Sequence, residues 1–368
     1  MQDLTLVVVV VTALFFDFTN GFHDTANSIA TSVSTRALSP RAAVLSSAVL
    51  NFIGAFFFFA VAATIAKGIV DPAAITLKVV LAGLVGAITW NLITWYLAIP
   101  SSSSHALIGG IIGSSVAATG SFQVVQWQGL KEKVLVPSLL APFAGLLGAA
   151  ALMTLTLWLI RKRAPGAVNR LFRRLQLVSG GFVAFTHGTN DAQKTMGVIA
   201  LALIVSGHQA AEPFAVPVWV KISAATAMAL GTYAGGWRII RTLGQRVAKL
   251  EPPQGFAAQT STAVILWLTA RYGYPVSTTY TISGSVLGAG ASTRLSAVRW
   301  GVAGNILVAW IVTIPCAGLV GAAMELVTRL PGGVAYVFLL TAAIAALAFT
   351  GRSIEARRFR LASAQAST

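Results

Sequence analysis

Two aspartates stand where a charge needs a reason. Asp24 lies in Gly21-Phe22-His23-Asp24-Thr25-Ala26-Asn27-Ser28, and Asp191 in His187-Gly188-Thr189-Asn190-Asp191-Ala192-Gln193-Lys194, both inside long apolar runs. A carboxylate at the centre of a bilayer costs at least ~2.5–3.5 kcal/mol, so such a group marks a proton or cation site by default. The competing reading is a pair of structural hydrogen-bonding carboxylates. The chain has only ten acidic residues, and these two occupy matched contexts. Asn27, Asn190 and the small residues beside them predict a locally unwound helix whose carbonyls are free for a cation. His23 and His187 flank the motifs, either as proton relays near neutral pH or as hydrogen-bonded structural groups.

A second pair of segments has anion chemistry. Pro100-Ser101-Ser102-Ser103-Ser104-His105 and Pro275-Val276-Ser277-Thr278-Thr279-Tyr280 each interrupt a long apolar stretch. Proline lacks the N–H needed to continue the preceding helix. Ser and Thr then cap a new helix, which presents free N–H groups and its positive dipole end at the break. Hydroxyls around a helix N-terminus bind an oxyanion without a full positive charge. One such break reads equally as a polar loop between spans; two matched copies favour an anion site.

These motifs need elements to hold them. The sequence is 56% apolar and 10% charged, against roughly 25% charged in soluble domains. Apolar runs long enough to cross ~30 Å of hydrocarbon recur throughout. They predict an all-α polytopic membrane protein with helices over 4–34, 42–66, 77–118 (two arms), 137–160, 177–206, 216–237, 257–292 (two arms), 297–324 and 333–350. Cys316 lies in an apolar run and is the single cysteine, which excludes an internal disulfide. Without a basic n-region or small-residue cleavage site, residues 4–16 read as part of the mature protein.

The net charge of +16 suggests nucleic acid until its placement is considered. Lys and Arg sit in short connections, as membrane topology requires. With the N-terminus outside, 18 of the 26 fall on cytoplasmic segments. They are Arg36 and Arg41; Arg161, Lys162, Arg163, Arg170, Arg173 and Arg174; Arg238, Arg241, Arg246 and Lys249; Arg294 and Arg299; and Arg352, Arg357, Arg358 and Arg360. This positive-inside bias puts the C-terminus in the cytoplasm and leaves no case for a nucleic-acid partner. The chain also repeats itself. Phe18, Thr19, Gly21 and Asp24 match Phe185, Thr186, Gly188 and Asp191, while Thr94, Pro100, Ser102, Gly109 and Gly113 match Thr269, Pro275, Ser277, Gly284 and Gly288. The predicted topology makes the two copies inverted, with a broken Asp-motif helix and a Ser/Thr-tipped hairpin in each. That pattern points to a midplane substrate site and alternating access. The division is 1–160, first repeat with an accessory span; 161–176, basic cytoplasmic loop; 177–350, second repeat with accessory spans; and 351–368, basic cytoplasmic tail.

The two Asp motifs, with the Pro-x-Ser-Ser/Thr-Ser/Thr breaks, resemble the inorganic phosphate transporter (PiT) family over essentially the whole chain, most closely its bacterial low-affinity type. The resemblance implies a symporter of phosphate and a coupling cation in a bacterial inner membrane, with no bound cofactor. It implies phosphate at Ser102, Ser103, Ser104, Ser277, Thr278 and Thr279, and the coupling ion at Asp24, Asn27, Asn190 and Asp191. Departures bear on that ion. Asn51 and Gln259 stand where sodium-coupled relatives commonly carry acidic residues, and Lys194 where the second motif normally ends in Asn. Fewer carboxylates and a fixed ammonium favour a proton over sodium. Phosphate as a neutral divalent-metal complex remains an option, as does a sodium-coupled carrier or a sulfate carrier of the same fold.

Arg271, four residues before the second break, either reaches phosphate or snorkels to the inner surface. Trp127 and Trp300 read as interface anchors. An intramembrane aspartyl protease would also need two membrane carboxylates, but it has no use for duplicated Ser/Thr breaks. The expected partners are phosphate and membrane lipid, with a homodimer left open.

Overall fold

The computed structural model describes residues 2–235, 239–240, 242, 250–293 and 298–365, with side chains through Gly351. Arg238, Arg241, Arg246, Lys249 and Arg294 lie outside the described residues, as do the side chains of Arg352, Arg357, Arg358 and Arg360. The helices are α1 (Gln2–Ser34), α2 (Pro40–Gly54), α3 (Ala60–Lys67), α4 (Leu77–Leu97), α5 (Ser103–Thr119), α6 (Val136–Ile160), α7 (Pro165–Val205), α8 (Val218–Ala234), α9 (Pro252–Tyr272), α10 (Thr278–Ala291), α11 (Trp300–Thr328) and α12 (Gly333–Gln365). Among the described residues the extended pairing is a single bridge, Val70 with Val125.

Among the described residues, five segments are long and apolar enough to cross a membrane: Asp3–Ser34, Leu77–Leu97, Trp127–Ile160, Trp300–Thr328 and Gly333–Gly351. Burial sorts them. The apolar window of α4 is 78% buried, whereas those of α11 and of the segment containing α6 are 28% and 22%. The first is bundle interior; the others present Leu139, Leu147, Trp158, Leu307, Ile311 and Leu319 outward, where hydrocarbon is the natural neighbour.

The two hairpins are α4–α5 and α9–α10. Both turn the same way. Ala98 and Gly273 adopt left-handed conformations as helix caps, with φ of 57° and 75°. Each is followed by the proline and then a serine N-cap. Ser102 accepts from the His105 N–H at 3.1 Å, and Ser277 from the Tyr280 N–H at 3.3 Å. Each short arm lies against an outer helix without intervening side chains. A Cβ at Gly113 would overlap the carbonyl of Gly318 on α11, and one at Gly288 would overlap that of Leu146 on α6.

Four expectations are corrected. The Asp-motif helices are not broken: α1 and α7 run through Asp24 and Asp191 without interruption. Their hydroxyls bond back onto their own helix, Thr19 to the Phe16 carbonyl and Thr25 to that of Gly21, so polar content does not force unwinding. The break falls instead in the second span, where α2 and α3 are separated at residues 55–59 and Phe58 takes a φ of 59°. Finally, 161–176 is mostly helix. Pro165 occupies the first turn of α7, where proline is tolerated, and Val168, Phe172 and Gln176 bury one stripe while Arg170, Arg173 and Arg174 face outward. Likewise α12 continues past the predicted end at 350, to Gln365.

Candidate functional site

Both Asp motifs and both hairpin tips meet inside the bundle. Ligand atoms of Asp24, His187 and Asp191 all lie within 4.8 Å of one another. On α1, His23 Nδ1 is 2.6 Å from Asp24 Oδ1, and its Nε2 is 3.0 Å from the Thr94 hydroxyl on α4. Ser101 donates to the same Thr94 oxygen at 2.9 Å. Asp24 is thereby linked through His23 to the root of the first tip.

On α7, His187 bridges outward and inward. Its Nδ1 lies 3.1 Å from Asn51 Oδ1, and Asn51 donates to Thr232 at 2.9 Å. Its Nε2 is 3.0 Å from Asp191 Oδ2, an ion-pair distance without a well-formed hydrogen bond. Asn190 donates weakly to Thr269 at 3.5 Å, and its Oδ1 is without a donor.

Lys194 is the hub. It is 1% exposed, on the Asp191 face of α7, and its ammonium contacts Asp191 Oδ1. It also donates to the Ser104 hydroxyl at 2.5 Å and to the Val276 carbonyl at 3.2 Å. One cation thus touches an Asp motif and both tips. Ser104 itself approaches the Val276 carbonyl at 3.4 Å, and Thr278 donates to Asp191 at 3.4 Å. The Ser103 hydroxyl is buried without a partner. Positive helix ends, an ammonium and a free hydroxyl make an environment for a tetrahedral anion. Unpaired carboxylate and amide oxygens beside it suit a proton or small cation.

The remaining predicted residues divide. Asn27 donates to the Thr279 hydroxyl at 2.9 Å and belongs to the cluster. Gln259 stands off from it, tying Ser179 to Thr31 and Ser32 at the far end of α1, with bonds of 2.8, 2.6 and 2.6 Å. Arg271 is exposed on the last turn of α9 and is not among the buried cluster. Sequence reasoning missed Gln193, whose Oε1 accepts from the Val61 and Ala62 N–H groups at 3.0 and 3.3 Å and caps α3 at the break. It also missed Asp17, fully buried on α1. Asp17 had a readable signal, being two helical turns from Asp24 and on the same face.

A multi-pass helical bundle with lipid-facing outer helices and an ionic cluster at its centre has the architecture of a membrane transporter. A family model described as "Phosphate transporter family" matches residues 20–321. The chain belongs to that family, whose substrate is phosphate. It is 55% identical over 327 residues to a Mycobacterium bovis protein named "Probable low-affinity inorganic phosphate transporter", covering 88% of this chain and 77% of that one. Proteins of the same name from Rhizobium meliloti and Bacillus subtilis are 51% and 46% identical over 319 and 321 residues, covering 86% of this chain and 94% and 95% of theirs. A solved structure titled "The sodium-dependent phosphate transporter" superposes with a TM-score of 0.82 at 24% identity, covering 88% of this chain and 99% of that one. At that identity the likeness is one of fold.

Proposed function

We propose that this protein is a proton-coupled phosphate symporter of the bacterial inner membrane, working by alternating access between inverted repeats. Phosphate sits at Ser102, Ser103, Ser104, Ser277, Thr278 and Thr279, and the coupling machinery is Asp24, Asn27, Asn190, Asp191 and Lys194. The observation that carries the reading is the Lys194 ammonium, buried against Asp191 and both tips. It neutralises Asp191 as a sodium ion would elsewhere, and leaves Asp24, with His23 beside it, to carry the proton. Phosphate arriving at the tips competes with Asp191 for the same ammonium, which couples anion binding to the state of the carboxylate. The inverted-repeat reading is supported by the matched caps at Ala98 and Gly273 and by the matched packing of Gly113 and Gly288.

A sodium-coupled cycle is the second reading. It is favoured by the close approach of Asp24, His187 and Asp191, a donor set that also suits a metal travelling with phosphate as cargo. Uptake of labelled phosphate into proteoliposomes separates them. Under the proton reading, an inward proton gradient drives accumulation without sodium, and Asp24→Asn abolishes it. Strict sodium dependence of the parent overturns the coupling assignment and leaves phosphate transport standing. Sulfate that displaces phosphate at equal concentration would move the substrate assignment instead.

A further inference from the structure

Asp17 is 0% exposed, and neither of its carboxylate oxygens has a hydrogen-bond partner. The Thr195 hydroxyl and the Asn20 side chain face it without closing a well-formed bond, and Thr195 Oγ1 and Asn20 Oδ1 are themselves unpartnered. Four buried oxygens therefore meet, and the one hydrogen they carry, on the Thr195 hydroxyl, closes no well-formed bond to the carboxylate. The charged groups that act on Asp17 are Asp191 and Lys194, both on α7. Close by on α1, Asn20 contacts Met228 of α8 at 3.9 Å and Thr19 accepts from Asn91 of α4 at 3.4 Å; neither Met228 nor Asn91 titrates.

An ionised carboxyl with no well-formed hydrogen bond inside a bilayer-spanning bundle is among the costliest arrangements a protein can hold. It must be neutralised. A second metal cation here would stand in the field of the Lys194 ammonium, whereas a proton neutralises the group on the spot and turns it into a donor. A carboxylic O–H has an acceptor waiting in Thr195 Oγ1 or Asn20 Oδ1.

Position gives the group its task. Asp17 lies two turns, about 10 Å, from Asp24 toward the N-terminus of α1. Thr195 lies one turn from Asp191 toward the C-terminus of α7. In the predicted orientation both displacements point outward. We propose that Asp17 is a second proton-binding site of the transport cycle, loaded from the external side before the proton at Asp24. Hydronium gives its proton to one Asp17 oxygen and leaves as water; release is the reverse transfer to water, and nothing is oxidised or reduced. The inference rests on the proton-coupled reading.

The test uses the full chain in proteoliposomes, measuring the proton:phosphate ratio, the external-pH dependence of uptake, and gradient-free phosphate counterflow. Asp17→Asn is expected to keep counterflow while moving one proton fewer per phosphate and flattening the acid side of the pH profile. Asp17→Glu restores both. A proton-driven parent whose ratio and profile survive Asp17→Asn overturns the site and spares the coupling reading. A parent driven by sodium and indifferent to the proton gradient ends the coupling reading itself. Should Asp17→Asn not assemble, Thr195→Val decides the matter: removing the facing hydroxyl shifts the pH midpoint of uptake if Asp17 takes the proton, and an unmoved midpoint overturns the proposal.

Discussion

Asn27 donates to the hydroxyl of Thr279 at 2.9 Å, joining the helix of the first Asp motif to the tip of the second hairpin, 252 residues further along the chain. Coupling needs a link of this kind, because the ion site and the anion site must report to each other. A buried side-chain hydrogen bond is worth ~1 kcal/mol. Asn27→Ala is expected to raise the KM for phosphate about fivefold, the equivalent of that energy. Uptake kinetics over a range of phosphate concentrations check it, and an unchanged KM dissociates α1 from the tip.

Lys194 and Asp191 form an ion pair in which neither side chain is more than 1% exposed. Removing one member of a buried pair strands the other, at a cost of ~3–5 kcal/mol. Lys194→Met and Asp191→Asn are each expected to lower thermal stability in detergent by about that much. The double variant should recover most of the loss while remaining inactive. Additive losses would show that the two side chains do not pair.

Ser102 and Ser277 cap the tip helices through bonds of 3.1 and 3.3 Å. Loss of such a cap costs ~0.5–2 kcal/mol. Ser102→Ala and Ser277→Ala should each weaken phosphate binding and leave folding intact, read from binding isotherms beside melting curves. Parent-like transport by both at subsaturating phosphate would reduce the breaks to plain loops.

Ala98 holds a left-handed conformation with φ of 57°, where the other hairpin uses Gly273. A side chain there costs roughly 1–2 kcal/mol. Part of that is offset by the extra freedom glycine gains in the unfolded chain. Ala98→Gly is expected to raise the melting temperature slightly, with transport unchanged.

Ala164 sits beside the exposed Arg161, Lys162 and Arg163. Positive-inside sorting predicts a cytoplasmic position for this segment. In a Cys316→Ser background, Ala164→Cys should resist an impermeant thiol reagent added to intact cells. Ready labelling would reverse the orientation and, with it, the external placement of Asp17.

Much of this site could be read from residue types. Asp24 and Asp191 stood out because hydrocarbon makes isolated carboxylates expensive, and the tips stood out because proline followed by hydroxyl residues is a helix restart. What the sequence could not give was which polar residues would be satisfied within their own helix. Thr19, Thr25 and Thr189 each find a carbonyl on α1 or α7, which keeps those helices whole where unwinding was expected. The break at 55–59 was hidden for the opposite reason. Its neighbours are apolar phenylalanines, and the group that caps it, Gln193, is 132 residues away from Val61 in sequence. Asp17 was legible as a residue but not as an unpaired one, since pairing is a property of what packs against it.

Where Gly113 meets the Gly318 carbonyl and Gly288 that of Leu146, main chains touch with nothing between them. A layer of side chains lets two helices slip by changing rotamers; bare backbones at close approach have no such slack. Each tip is therefore expected to move with its outer helix, α5 with α11 and α10 with α6. Those outer helices present apolar side chains outward, so bilayer thickness would act directly on the pieces packed against the two proposed anion-binding tips. Phosphate uptake into vesicles of graded acyl-chain length is expected to change in rate with bilayer thickness.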